Sequence, residues 1–196
     1  MAPLCGAIGA GCCALIKPSE VAPHSVTFIY DNLGKYLDTN CFKVVLGEVP
    51  EITKVLELKW HHICYTGNGR IARVISHAAA EHLTPLTLEL GGKSPVILHA
   101  SPDLEMFGPI LPIMAVDSVQ DAINYVNSQD HALVVYGFAT NESVKKQIID
   151  HTTSGGVTFS DTFGYLALGE LPFGGVGKSG HGRRFLKYSV WSQYSE

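Results

Sequence analysis

Short apolar runs alternate with helix-patterned segments along this chain, and that alternation leaves few folds open. Cys13-Ala14-Leu15-Ile16, Phe42 to Leu46, His62-Ile63-Cys64-Tyr65 and Leu86 to Leu90 read as four strands. Pro3 to Gly11, small and apolar, reads as a tightly packed helix before the first of them. After it, Ser19 as N-cap, Glu20 in the first turn and nearby Pro23 open a helix expected to run to about Tyr36. Pro50 to Leu58 and Arg70 to His82 supply two more helices. Strands alternating with helices predict parallel βαβ units and an α/β fold. Sheets of that kind bind ligands at the carboxyl ends of their strands, and Lys17, Gly67 and Glu89 all fall at or near such ends.

The second half repeats the alternation. Ile110 to Val116 is expected to be a strand, an edge or irregular one because of Pro112. Ser118 caps a helix to about Asn127, and Leu133 to Phe138 is a strand. Asn141, followed by Glu142 in the first turn, opens a helix to about His151. Gly155-Gly156-Val157-Thr158 leads into a last strand, and Leu171 to Gly180 is a glycine-rich loop.

Composition excludes several classes of function. A net charge of -4 with no basic block argues against nucleic acid as a partner. No apolar run approaches the roughly 18 residues of a membrane helix. Met1-Ala2-Pro3-Leu4 has no basic region, so no signal peptide is expected and the cytoplasm is the expected location. The five cysteines, Cys5, Cys12, Cys13, Cys41 and Cys64, are odd in number and contain no C-x-x-C pair. That argues against a disulfide framework or a zinc site and suits a reducing compartment. Cys12, Cys13 and Cys64 sit in apolar runs and are expected to be buried and structural. No metal site is expected: His61 and His62 adjoin in a strand pattern and point to opposite faces.

Three stretches carry chemistry. Glu89 is a lone carboxylate inside Leu86-Thr87-Leu88-Glu89-Leu90. Apolar surroundings disfavour the charged form of an unpaired carboxylate, which is how one becomes a general base near neutral pH. A structural Glu held by a nearby Lys or backbone N–H fits the run as well. Lys17-Pro18-Ser19-Glu20 sets a cation and a carboxylate at a strand-to-helix junction, where they can hydrogen-bond the two hydroxyls of a ribose; an ordinary cap with a surface lysine is the plainer reading. Thr66-Gly67-Asn68-Gly69 precedes a helix whose N-terminus suits an anion, or is a simple βα turn; it lacks G-x-G-x-x-G spacing.

Taken together and in this order, these motifs resemble those of the aldehyde dehydrogenase superfamily. The match continues with Leu88-Glu89-Leu90-Gly91-Gly92-Lys93-Ser94-Pro95, Phe107-Gly108-Pro109-Ile110-Leu111-Pro112, Ser154-Gly155-Gly156-Val157 and Pro172-Phe173-Gly174-Gly175-Val176-Gly177, so it covers essentially the whole chain. Its flavour is that of the class 3 group, which includes fatty-aldehyde dehydrogenases. The resemblance implies a Rossmann-like, parallel-sheet NAD(P)-binding domain over 1–104, a remnant of the α/β catalytic domain over 105–180, and a tail over 181–196 that could serve oligomerisation. It implies that Lys17 and Glu20 bind the adenosine ribose, Gly67 lies under the pyrophosphate, Ser19 and Thr66 belong to the same coenzyme site, Phe107 packs at the nicotinamide, and Glu89 activates the water that hydrolyses a thioester. The implied cofactor is NAD or NADP, the substrate a small aldehyde oxidised to its acid, and the assembly a homodimer.

The departures are as informative. The family's nucleophilic cysteine should lie between Pro95 and the Phe-Gly-Pro motif, yet only eleven residues separate Pro95 from Phe107 and none is Cys. Glu105 either ends the first piece or is the glutamate of the family's Glu-x-Phe-Gly-Pro motif, which binds the nicotinamide ribose. The Asn of the oxyanion hole would precede Met1. These 196 residues are therefore expected to oxidise little or no aldehyde, and to act, if at all, as a coenzyme-binding or subunit-binding fragment or to be a truncated product without function.

Overall fold

The computed structural model describes residues 2–99, 113–167 and 171–182. Helix α1 (Ala2–Gly9) ends at Gly11, whose φ of 74° turns the chain into β1 (Ala14–Ile16). Helix α2 (Pro23–Leu33) starts three residues later than a cap at Ser19 would place it. The Ser19 side chain does not cap it. The Ala22 amide instead donates to the Ser19 carbonyl (3.1 Å) in a separate turn, and Pro23, which has no N–H to lose, takes the first helical position. No residue of α2 is buried. Strand β2 (Phe42–Val44) follows, then α3 (Val49–Leu56), opened by a reciprocal cap in which the Glu48 amide donates to Glu51 Oε2 at 3.0 Å.

Strand β3 (Ile63–Gly67), α4 (Gly69–Ala80) and β4 (Leu86–Leu90) form the next βαβ unit, and β5 (Val96–Leu98) comes after the Gly91-Gly92 break. Beyond it lie α5 (Val119–Ser128), β6 (Ala132–Phe138), α6 (Glu142–His151), β7 (Ser154–Phe159) and the two-residue β8 (Gly180–His181). Ser118 and Asn141 cap α5 and α6 as their sequence positions predict, accepting from Asp121 N (3.1 Å) and Ser143 N (2.9 Å). The strand expected over Ile110 to Val116 is not formed where it is described: residues 113–116 run without strand pairing and leave Ile113, Met114 and Val116 exposed, while 110–112 lie outside the described residues.

The fold is α/β, and among the described residues every strand pair but one is parallel. The described strands make three ladders: β1–β2, β3–β4–β8 and β5–β6–β7. The principal core lies in the third. Ile123 and Val126 of α5 and Val144 and Ile148 of α6 pack with Ile97, Ala132, Val135 and Ala139 of the sheet side, and Ile123 and Ile148 have no exposed surface. A helical stripe of apolar residues on each crossover thus covers strands that are apolar in succession, the arrangement parallel sheets require.

Residues 171–182 link the second half to the first. The segment carries a single 3-10 turn, Gly177–Ser179, and ends as β8, paired antiparallel to β4 with Leu88 opposite His181 and Glu89 opposite Gly180. Lys178 Nζ bridges to Asp130 Oδ1 at 2.8 Å, before β6. A Cβ on Gly155 of β7 would fall 2.1 Å from the Gly174 carbonyl oxygen, so the glycines on both sides let backbones touch. Phe173 stacks on Tyr165 with centroids 5.2 Å apart, and Tyr165 in turn lies against Tyr136 of β6.

Candidate functional site

Lys17 leaves the end of β1, where the Val45 amide donates to the Ile16 carbonyl (2.9 Å) and fixes the strand's last residue. Three residues on, Glu20 Oε2 accepts from Lys17 Nζ at the surface. The hydrogen bond from Lys17, its own backbone amide and the lysine charge all hold the Glu20 carboxyl below the usual carboxylate range. Glu20 is therefore ionised throughout the neutral range. Ser19 is exposed, and its contribution is the carbonyl that closes the turn to Ala22. These three residues follow the carboxyl end of β1, in the turn between the β1–β2 ladder and α2.

Thr66 and Gly67 end β3, on a different ladder. Asn68 Oδ1 accepts from the Ile71 amide (3.0 Å) and opens the twelve-residue α4. Tyr65, which sequence reasoning did not single out, shares a strand face with Gly67. Its ring lies across that glycine: a Cβ on Gly67 would sit 2.2 Å from the Tyr65 hydroxyl, which donates a long 3.5 Å bond to the Asn68 carbonyl. The signal for it is period-two spacing, since residues two apart on a strand stand side by side.

Glu89 is 5% exposed in the middle strand of its ladder, flanked by Thr66 in register on β3 and Gly180 on β8. The structure thus brings Thr66, Gly67 and Glu89 together, and sets Lys17, Ser19 and Glu20 in the turn that follows β1 of another ladder. Glu105 and Phe107 lie outside the described residues. The covering of Glu89 by β8 has no signal in the local sequence. Ser179, 1% exposed, accepts from the Val176 amide (2.9 Å) and donates to the Val176 carbonyl (3.0 Å), which shapes the turn that delivers Gly180. A glycine-rich run reads as a loop, and its pairing with β4 is a long-range event that local sequence does not encode.

The cysteines correct one expectation. Cys64 and Cys12 are partly buried, but Cys13 is exposed, because β1 has a neighbour on one side alone among the described strands. Cys64 stands opposite Thr87, two residues before the pair Thr66–Glu89. Among the described residues no group of three or more metal-ligating side chains occurs, and no helix is long and apolar enough to cross a membrane.

His62, just before β3, has its Nε2 3.1 Å from Thr87 Oγ1, and burial holds its pKa below the ordinary histidine value. The unfolded chain takes up a proton near pH 6.5 that the folded chain refuses. The unfolded state then binds more protons, so stability is present above that pH and is lost as pH falls below it. The thermal midpoint should drop between about pH 7 and about pH 5, and His62→Gln should flatten that slope. An unchanged slope in the variant would assign the acid sensitivity elsewhere.

Comparison with known proteins gives a consistent picture. The sequence model of the Aldehyde dehydrogenase family matches residues 1–106 and again 102–196. Mouse aldehyde dehydrogenase family 3 member A2 is 30% identical over 297 residues, covering 96% of the chain and 61% of the relative. The rat protein named "Aldehyde dehydrogenase, dimeric NADP-preferring" is 28% identical over 288 residues, covering 92% of the chain and 64% of the relative. A substrate-bound Staphylococcus aureus AldH superposes with a TM-score of 0.88 at 24% identity, over 98% of this chain and 66% of that one. A Mycobacterium tuberculosis aldehyde dehydrogenase complexed with NAD+ does so with a TM-score of 0.81 at 18% identity, over 96% and 63%. The chain spans about three fifths of the length of the curated relatives it matches.

Proposed function

Because the chain belongs to the aldehyde dehydrogenase family, we propose that it is an NAD(P)-binding member that keeps the coenzyme side of the family's site and lacks its nucleophile. One observation carries the reading: no cysteine follows Cys64, so none lies between the glutamate motif and the Phe-Gly-Pro motif where the thiolate belongs. The interruption is internal. The two family matches overlap at 102–106, and an aligned span of 297 residues against a chain of 196 leaves at least 101 positions of the mouse relative without a counterpart. Residues 1–104 are read as the coenzyme-binding part, 105–180 as a remnant of the catalytic part and 181–196 as a tail.

The residues present fit the adenosine end of a dinucleotide. Lys17 and Glu20 are at the surface at a strand's carboxyl end, where an ammonium and a carboxylate can take a ribose diol between them. Thr66, Gly67 and the N-terminus of α4 offer amides to a diphosphate, provided the Tyr65 ring turns off Gly67; its 3.5 Å hydrogen bond holds it weakly. Bound coenzyme would supply the hydride acceptor, and Glu105 and Phe107 are read as contacts to its nicotinamide end. Glu89 is read as the base that would activate water. A negative Glu20 repels a 2′-phosphate, which favours NAD over NADP.

Calorimetry with NAD should show weak binding, and Glu20→Gln should weaken it by about tenfold. Affinity should be flat from about pH 8 to about pH 5, because Glu20 stays charged and loses its proton-free form only below the usual carboxylate range. The reading fails if neither NAD nor NADP gives heat or a thermal shift.

A further inference from the structure

Strands β1 and β2 pair in parallel with Ala14 opposite Phe42, so Cys13 and Cys41 face one another one step earlier, and the Ala14 amide donates to the Cys41 carbonyl at 2.8 Å. Paired strands lie about 4.8 Å apart, inside the Cα separation of about 4.4–6.8 Å that a disulfide accepts. We propose that Cys13 and Cys41 are a redox-active dithiol that closes a reversible disulfide across the β1–β2 pair by exchange with a small-molecule disulfide such as oxidised glutathione.

Three observations support the pair. The two thiols are within hydrogen-bonding reach of each other, and that contact, with partial burial, holds Cys41 in its protonated form above the ordinary thiol value. Cys13 is exposed while Cys41 is partly buried, which separates an attacking from a resolving thiol. Both line an open cleft of about 240 Å³ with Lys43, Asn40 and Trp60, where a peptide disulfide could rest with its carboxylates near the Lys43 ammonium.

The exchange balances without any further reagent. The Cys13 thiolate attacks one sulfur of the small disulfide, whose S–S bond breaks, and the departing thiolate takes the proton that Cys13 lost. Cys41 then gives its proton to solvent and attacks the Cys13 sulfur, and the second small thiolate leaves and is protonated. Two protein thiols are oxidised by two electrons and one small disulfide becomes two thiols. The new bond closes the loop from 13 to 41, which holds Lys17, Glu20 and the whole of α2, a helix with no buried residue of its own. Local opening of that loop should become rarer by on the order of a hundredfold, since loop closure acts on the open state.

The test is peptide mapping of the full chain after incubation with oxidised glutathione and blocking of free thiols. Trypsin meets no site before Lys35 other than the resistant Lys17-Pro18 bond, so Cys5, Cys12 and Cys13 share one peptide and Cys41 lies alone in residues 36–43. The expected product joins these two peptides, with free thiols falling from the five of the reduced chain to three. It should survive Cys12→Ser and Cys5→Ser, vanish in Cys13→Ser and Cys41→Ser, and reverse with dithiothreitol. Amide exchange in α2 should slow at least tenfold on oxidation. A linkage lost in Cys12→Ser but kept in Cys13→Ser, or glutathione adducts with no linked peptide, would overturn the proposal.

Discussion

Assayed with short- and long-chain aldehydes and either NAD or NADP, the chain is expected to show no oxidation above background, against a typical enzyme turnover of about 10 per second. A positioned base such as Glu89 supplies about 10²–10⁴ in rate on its own, whereas enzymes of this kind need accelerations of at least about 10⁶. The difference is what a covalent thiohemiacetal and its thiolate provide, by dividing one hard step into two easier ones. The five thiols all precede β4 in the chain. Cys64 is the one nearest Glu89 by register, opposite Thr87 on β4, and it is partly buried. If slow oxidation is nevertheless observed, Cys64→Ser decides whether that thiol is its source. A turnover near 10 per second would refute both the prediction and the proposed function.

Much of the fold is legible in the sequence where a single local rule decides. Leu86 to Leu90 is a strand because Gly91-Gly92 can only end it, and the structure gives β4 those bounds. Ser118 and Asn141 cap because each precedes an apolar stripe at helical spacing. Ser19 fails as a cap because Pro23 competes with it: a fixed φ at the first helical position outweighs a hydroxyl four residues upstream. Residues 113–116, the described part of the strand expected over Ile110 to Val116, are not paired, because an apolar run does not by itself supply a neighbouring strand. Long-range pairings are the larger loss. That Cys13 meets Cys41 depends on the register of β1 on β2, and that Gly180 covers Glu89 depends on a loop crossing from one half of the chain to the other. The site residues divide in the same way. Lys17 and Glu20 meet three residues apart, so their pairing is visible in sequence, whereas Tyr65 over Gly67 is a rotamer choice.

Gly180→Ala is expected to release the glycine-rich segment from β4, at a cost of about 3 kcal/mol. Gly180 has a φ of 154° and an ideal Cβ there would lie 2.3 Å from the Leu88 carbonyl oxygen, with Gly175 backbone at 3.2 Å. The obstacle is backbone on both sides, so no side chain can turn away to make room. Backbone strain at such a position costs about 1–3 kcal/mol. Relieving the clash by moving β8 also gives up its ladder bonds to Leu88 and Glu89 and opens buried Glu89 and Ser179 to water. For a chain of this length, about 3 kcal/mol lowers the melting midpoint by roughly 6–12 °C. Hydrogen exchange should localise the damage: the amides of β4 and of residues 176–181 lose protection first, while the core around Ile123 and Ile148 keeps it. Gly156→Ala is the control, since nothing lies within 4 Å of its added Cβ and its φ is not in the left-handed region. That variant should melt within about a degree of the parent. Equal midpoints for Gly180→Ala and the parent would mean that β8 contributes nothing to holding the two halves together, and Glu89 would then have to be kept from water by other means.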